Sequence, residues 1–282
     1  MQTKGKIMQH QIINLKKEPS QHGFTPTLKT YLLDNLETNV PRPAVIVFPG
    51  GGYKFCSPSE GERIAIGYNA AGFHSFVLDY SVAPHRHPTP IMDAAAAIKE
   101  VRKNAEEWNV NPDQVAIVGF SAGAHLAASI STLWDNPEIF TKEEIASALH
   151  KPNASILSYP VITSGKFREP GSFAALLGEN ATPELLELLS LEKQVKETTA
   201  PAFLWHTYED NGVPVENTLL YAQALSKHKI PCEVHIYPRG GHGLSLVSDP
   251  TIWAAPRFRR KYDWLAQSVE WLIDLFGIRN FE

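Results

Sequence analysis

Gly119-Phe120-Ser121-Ala122-Gly123 sets a serine between two glycines at the G-x-S-x-G spacing of a nucleophile elbow. A hydroxyl can attack a carbonyl only if it projects from a sharp strand-to-helix turn, and flanking glycines leave room for the strained backbone. The motif is short enough to arise by chance, so its context matters. The apolar run 115–118 precedes it, and a small-residue stretch with helical spacing, 122–133, follows. Upstream, Pro49-Gly50-Gly51-Gly52-Tyr53 directly follows the apolar run 44–48. Residues without side chains let backbone N–H groups face a carbonyl oxygen. Gly51 and Gly52 with Ala122 are therefore the candidate oxyanion donors, each worth about 3–4 kcal/mol in other enzymes. A nucleotide cradle would need G-x-G-x-x-G or G-K-[ST], and neither occurs here.

An acid and a base should follow the serine in that order. His206-Thr207-Tyr208-Glu209-Asp210 follows an apolar run ending at Trp205, which makes Asp210 the candidate acid and Glu209 its rival. Among eleven histidines, His242 stands out, on the loop Arg239-Gly240-Gly241-His242-Gly243 beyond a run ending at Tyr237. His242 would take the Ser121 proton and return it to a leaving group, with Asp210 fixing its tautomer.

Other residues carry weaker assignments. His125, one helical turn past Ser121, and His206, near Asp210, suit packing or hydrogen bonding. His85 and His87 have metal-ligand spacing, but two ligands on a proline-rich loop make a poor site, and no metal is expected. Tyr53, His87 and Tyr159 are candidate substrate contacts, while Trp134 and Trp205 suit either the site or the core. Asp79 and Tyr80 suit holding neighbouring loops, and Cys56 falls just past the glycine loop.

Positioning these residues requires alternating elements. Strand-like runs fall at 11–15, 28–33, 44–48, 73–80, 115–118, 155–159, 202–205 and 233–237. Helical spacing falls at 60–71, at 93–108 with Asp93 as a cap, and at 122–133, 215–227 and 260–276. Asn111-Pro112-Asp113 reads as a turn. This alternation predicts an α/β fold, a mostly parallel sheet with helices on both faces. Residues 163–199 break the rhythm, and such an insertion after a strand's carboxyl end lies over the ligand crevice as a cap or pocket wall.

The 282 residues suit one α/β domain, residues 1–282, and show no repeat or linker. With 43% hydrophobic and 20% charged residues and a net charge of -4, nucleic acid and anionic membrane are not expected partners. Lys4 and Lys6 are followed by residues too polar for a signal peptide, and no run of about 18 apolar residues occurs. Cys56 and Cys232 are far apart, so a reduced, cytoplasmic protein is the simplest expectation, although one bridge remains compatible with the sequence.

Together these motifs resemble the hormone-sensitive-lipase-like branch of the α/β-hydrolases, and within it the bacterial acetyl-xylan/feruloyl esterase-like carbohydrate esterases. The resemblance runs from Ala44 to the C-terminus. It rests on Pro49 to Tyr53, Leu78-Asp79-Tyr80 with Ala83-Pro84 and Pro88, 119–123 with His125-Leu126-Ala127, Asp210 with Val213-Pro214, and His242-Gly243. The resemblance implies a triad of Ser121, Asp210 and His242, an oxyanion loop at Gly51 and Gly52, and no cofactor. It implies a small-molecule ester substrate, an acetylated sugar or xylo-oligosaccharide, hydrolysed through an acyl-Ser121 intermediate. The wider family has His where this chain has Pro49, so the loop must be anchored differently, and strand-like residues replace the usual N-terminal helical cap, which implies a more open pocket. A general short-chain carboxylesterase or arylesterase is the nearest alternative. Further off are a prolyl-oligopeptidase-like peptidase, whose propeller does not fit 282 residues, and a non-catalytic ligand-binding module. General frequency alone points to a homo-oligomer.

Overall fold

The structure, a computed structural model, describes residues 10–16, 18, 22–34, 40–246 and 262–278. Lys4, Lys6 and the first two residues of the 260–276 stretch lie outside the described residues. The strands are β1 (Ile12–Asn14), β2 (Thr27–Tyr31), β3 (Arg42–Phe48), β4 (His74–Asp79), β5 (Val110–Phe120), β6 (Ala154–Ser158), β7 (Ala202–Thr207) and β8 (Cys232–Tyr237). The helices are α1 (Glu62–Ala70), α2 (Thr89–Lys103), α3 (Ala105–Trp108), α4 (Ala122–Leu133), α5 (Lys142–Ser147), α6 (Pro170–Leu177), α7 (Pro183–Leu188), α8 (Glu216–Lys227) and α9 (Trp264–Phe276).

The strands form one eight-stranded sheet in the order β1-β2-β4-β3-β5-β6-β7-β8. β1 and β2 pair antiparallel, as does β2 with β4, and from β4 onward every pairing is parallel. This is the α/β-hydrolase fold. Strand periodicity divides its core. Ala44, Ile46 and Phe48 of β3 pack on one side with Ile98 of α2, Leu126 of α4 and Leu225 of α8. Val45 and Val47 face the other side, where Tyr68 of α1 and Trp264 and Leu272 of α9 cover them. Burial on both faces explains the unbroken apolar runs of the central strands. Every residue of α4 is buried, and its polar members are satisfied locally: Ser129, Ser131 and Thr132 donate to the carbonyls of His125, Ala127 and Ala128.

Two local expectations are corrected. Asp93 does not cap a helix. α2 opens at Thr89 with Pro90 in its first turn, leaving Asp93 one turn inside and fully buried. Its carboxylate instead accepts the Ser81 N–H at 2.9 Å and pairs with Lys16 Nζ at 2.7 Å, pinning the loop after β4. Asn111-Pro112-Asp113 does not end the strand. β5 runs through it as a bulge, with Arg42 opposite Val110 but Ala44 opposite Val115, and Asn111 Oδ1 accepts the Asp113 N–H at 3.0 Å. Among the described residues, no helix is long and apolar enough to cross a membrane.

Candidate active site

Ser121 sits between β5 and α4 with φ 52° and ψ -117°, a conformation that a non-glycine residue adopts only under local constraint. The constraint is close packing. A Cβ on Gly119 would lie 2.4 Å from Gly123 O, and one on Gly123 would lie 2.2 Å from Phe48 O. The elbow therefore clamps the start of α4 against the end of β3. Residues beyond the carboxyl ends of β7 and β8 reach the same point. Ser121 Oγ lies 2.7 Å from His242 Nε2, and His242 Nδ1 lies 2.8 Å from Asp210 Oδ2.

Asp210 is buried, and its second oxygen, Oδ1, accepts the N–H groups of Gly212 at 2.8 Å and Val213 at 2.9 Å. Burial opposes its charge, but contacts with His206, His242 and the Val213 N–H outweigh it and hold the carboxyl well below the usual range. An ionised Asp210 accepts from His242 Nδ1–H and leaves Nε2 free to accept the Ser121 proton. Gly212 permits the close approach, since a Cβ there would lie 2.9 Å from His242 Cγ. Glu209 is exposed. His206 is fully buried, with Nδ1 2.8 Å from Thr218 Oγ1 and Nε2 3.0 Å from Val213 O and 3.2 Å from Asp210 Oδ2.

Gly51 and Gly52 have φ of 123° and 64°, and the N–H groups of Gly51, Gly52 and Ala122 donate to no protein acceptor among the described residues. Two contacts hold the loop in the absence of a leading histidine. Tyr80 OH donates to Pro49 O at 2.6 Å, and the Gly50 N–H donates to Glu60 Oε2 at 2.9 Å. Gly50 is also closely packed, because a Cβ there would lie 2.7 Å from both Phe120 O and Glu60 Oε2.

A cleft of about 410 Å³ opens above Ser121 and His242, lined also by Gly51, Gly52, Lys54 and Phe55. The insertion contributes Glu169, Gly171 and Ser172 to its wall. Glu169 caps α6 through the N–H groups of Gly171 and Ser172, at 2.8 and 2.7 Å. α6 itself is docked on the loop before α2, where the His87 N–H donates to Leu176 O at 3.0 Å and Arg86 Nη1 donates to Ala175 O. A larger cavity, about 460 Å³, lies at the opposite end of the strands. Its Arg102 is already engaged by the carbonyls of Pro112, Leu149 and Lys151.

The candidate substrate contacts fall elsewhere. Tyr53, His87 and Tyr159 are not in the cleft lining. Tyr53 is 2% exposed and its OH lies 2.9 Å from His125 Nδ1, because φ of 56° turns the side chain into the core. Tyr159 is 1% exposed and lies beneath the cleft, its ring 5.1 Å edge-on from that of His242. His87 is placed against α6 by its own backbone, and burial lowers its imidazole to about 4. Trp205 is fully buried in the core, and Trp134 lies beside His150. His125 spans Tyr53 and Leu189 O, the latter at 3.0 Å from Nε2, and so ties α4 to the insertion. Much of the cleft wall was missed in the sequence, Lys54, Phe55, Ser57, Glu60, Glu169 and Ser172 among it, because a lone side chain outside any motif carries no spacing signal. Among the described residues, no three His, Cys, Asp or Glu side chains gather as a metal site requires.

Known proteins are similar to this chain over most of its length. A Butyrivibrio fibrisolvens protein named endo-1,4-beta-xylanase B is 41% identical over 234 residues, 82% of this chain and 36% of that protein. An acetylxylan esterase of Xylanibacter ruminicola is 34% identical over 225 residues, 77% of this chain and 44% of that protein. The chain thus spans less than half the length of either curated relative. The crystal structure of an acetyl ester-xyloside bifunctional hydrolase from Caldicellulosiruptor lactoaceticus has a TM-score of 0.83 at 38% identity, covering 96% of this chain and 97% of that one. Residues 28–225 match the BD-FAE family, and by that match the chain belongs to the BD-FAE family of α/β-hydrolases.

Proposed function

We propose that this protein is a serine esterase that removes small acyl groups, acetyl above all, from acylated sugars or xylo-oligosaccharides. The observation that carries the reading is the Ser121–His242–Asp210 relay, with contacts of 2.7 and 2.8 Å, at the floor of an open cleft. Ser121 Oγ attacks the ester carbonyl as its proton passes to His242 Nε2, and the N–H groups of Gly51, Gly52 and Ala122 receive the oxyanion. Collapse of the tetrahedral intermediate breaks the bond to the alcohol oxygen, which leaves with the proton from His242. Water then gives a proton to His242, attacks the acyl-Ser121 carbonyl and releases the carboxylic acid, and the proton returns to Ser121 Oγ.

The acetylated-sugar half draws support from the names of the relatives. The cleft wall offers both kinds of contact, polar ones at Lys54, Ser57, Glu169 and Ser172 and apolar ones at Phe55 and Val213. A p-nitrophenyl ester series from acetate to octanoate, run beside acetylated xylo-oligosaccharides, tests both halves. We expect a steep preference for acetate and release of acetate from the sugar, with Ser121→Ala reducing turnover by roughly 10⁴-fold or more. A preference for octanoate would sink the carbohydrate reading in favour of a general carboxylesterase.

A further inference from the structure

Outside the relay, the cleft is lined by a buried carboxylate, that of Glu60. Glu60 ends a 3-10 turn, Pro58–Glu60, after the glycine loop, is 4% exposed, and lies beside Ser121 and His242 in the lining. Its two oxygens reach in different directions. Oε2 accepts the Gly50 N–H at 2.9 Å, and Oε1 accepts Tyr159 OH at 2.6 Å. Tyr159 OH in turn accepts the Ser245 N–H at 2.9 Å, and Ser245 Oγ donates to Ser59 O at 2.5 Å.

The groups around Glu60 are donors. The Gly50 amide can only donate. Tyr159 OH accepts the Ser245 N–H and donates to Glu60 Oε1, at a distance in the range of charge-assisted O–H···O⁻ bonds. Glu60 is thus an acceptor twice over, as a carboxylate is. Burial, the strongest influence, raises its carboxyl above the ordinary value, and the Tyr159 hydroxyl, the Gly50 N–H and His242 pull it back down. The ionisable groups facing it are Tyr159 after β6, His242 after β8 and Tyr80 after β4. Those facing His242 are Asp210, Glu60 and Tyr159.

We propose that Glu60 is a positioning residue. Resting on the esterase reading above, it holds the glycine loop and the His242 loop in one register and supplies a buried negative charge that steadies the His242 imidazolium formed during acyl transfer. The reacting proton passes between Ser121 and His242, and Glu60 gains and loses none.

Glu60→Gln tests this in the full chain. The amide oxygen can still accept from Gly50, but its NH₂ would face the Tyr159 proton, donor against donor. With p-nitrophenyl acetate we expect kcat to fall roughly ten- to a hundredfold, as small misplacements do, with KM little changed. Because the anion favours charged His242, its removal should move the acidic limb of the kcat/KM profile down by about half a unit to one unit. Wild-type kcat with an unmoved limb overturns the proposal. A loss of kcat with an unmoved limb reduces Glu60 to a structural anchor and also overturns it. If thermal melting shows Glu60→Gln unfolded, Tyr159→Phe carries the test. That variant keeps the ring against His242 and cuts the bridge to Ser245, and wild-type kcat there overturns the proposal. Wild-type protein that fails to hydrolyse any ester refutes the esterase reading instead, so the two failures are distinguishable.

Discussion

At the residue scale, the site depends on oxygens and nitrogens whose partners are used up in a definite order. Asp210 spends one oxygen on its own loop and the other on His242, so its geometry is set before any ligand arrives. Asp210→Asn would keep those loop contacts and favour the wrong imidazole tautomer. Turnover should fall by about 10⁴-fold, as for other triad acids. Glu209→Gln, one residue away but exposed, should stay close to wild type. Steady-state kinetics of both on p-nitrophenyl acetate checks the pair, and equal losses would move the acid role off Asp210. In the sequence Glu209 stands as a rival to Asp210, and the resemblance around Asp210 with Val213-Pro214 is what favours Asp210. Burial and the hydrogen bonds are what separate them.

At the element scale, the insertion after β6 turns the carboxyl end of the sheet into a walled cleft. α6 enters at its N-terminus, capped by Glu169, and presents Ser172 to the site. Ser172 is 2% exposed, and its Oγ has no hydrogen-bond partner among the described residues, lying 3.9 Å from where a Cβ on Gly52 would sit. A buried hydroxyl left unpaired costs about 1–3 kcal/mol, so Ser172→Ala should leave the melting temperature unchanged or raised. If the hydroxyl meets the substrate, the same variant should raise KM for acetylated xylo-oligosaccharides about three- to tenfold, one hydrogen bond's worth. Unchanged KM together with a lower melting temperature would make Ser172 a packing residue. The elements themselves were readable from periodicity because each segment's apolar pattern reports its own burial. The bulge in β5 and the early start of α2 were not readable, since both depend on pairing with distant segments.

At the scale of the whole molecule, acid is the expected weakness. His74, His87 and His125 are each lowered to about 4, by burial in every case and by the Arg42 charge as well at His74. His125 shows why: Tyr53 OH and Leu189 O satisfy both ring nitrogens of the neutral form. Unfolded histidine titrates near 6.5. Between about 6.5 and about 4 the unfolded chain therefore binds more protons than the folded one, and stability rises with pH across that window. Melting temperature should fall progressively as pH is lowered from about 7 to about 4.5. A flat profile would mean that these imidazoles are already charged in the folded protein. Asp210 adds a separate loss at lower pH. Its folded value is depressed, so its contribution is present above the unfolded carboxyl value and disappears as pH falls through the folded one.

The sequence by itself determined the alternation of strands and helices, the placement of Ser121 on a turn, and the chain order in which Asp210 and His242 follow it. These are local properties, carried by periodicity, glycine and proline punctuation, and loops that follow strands. Tertiary structure alone decided that Tyr53 and Tyr159 turn inward, that Glu60 meets Gly50 and Tyr159, and that Ser245 closes the same network. The physical reason is that Gly50 and Glu60 lie in the connection after β3, Tyr159 in the one after β6, and Ser245 beyond β8. Each satisfies another's hydrogen bonds only after the strands have paired, and no spacing along the chain encodes that meeting.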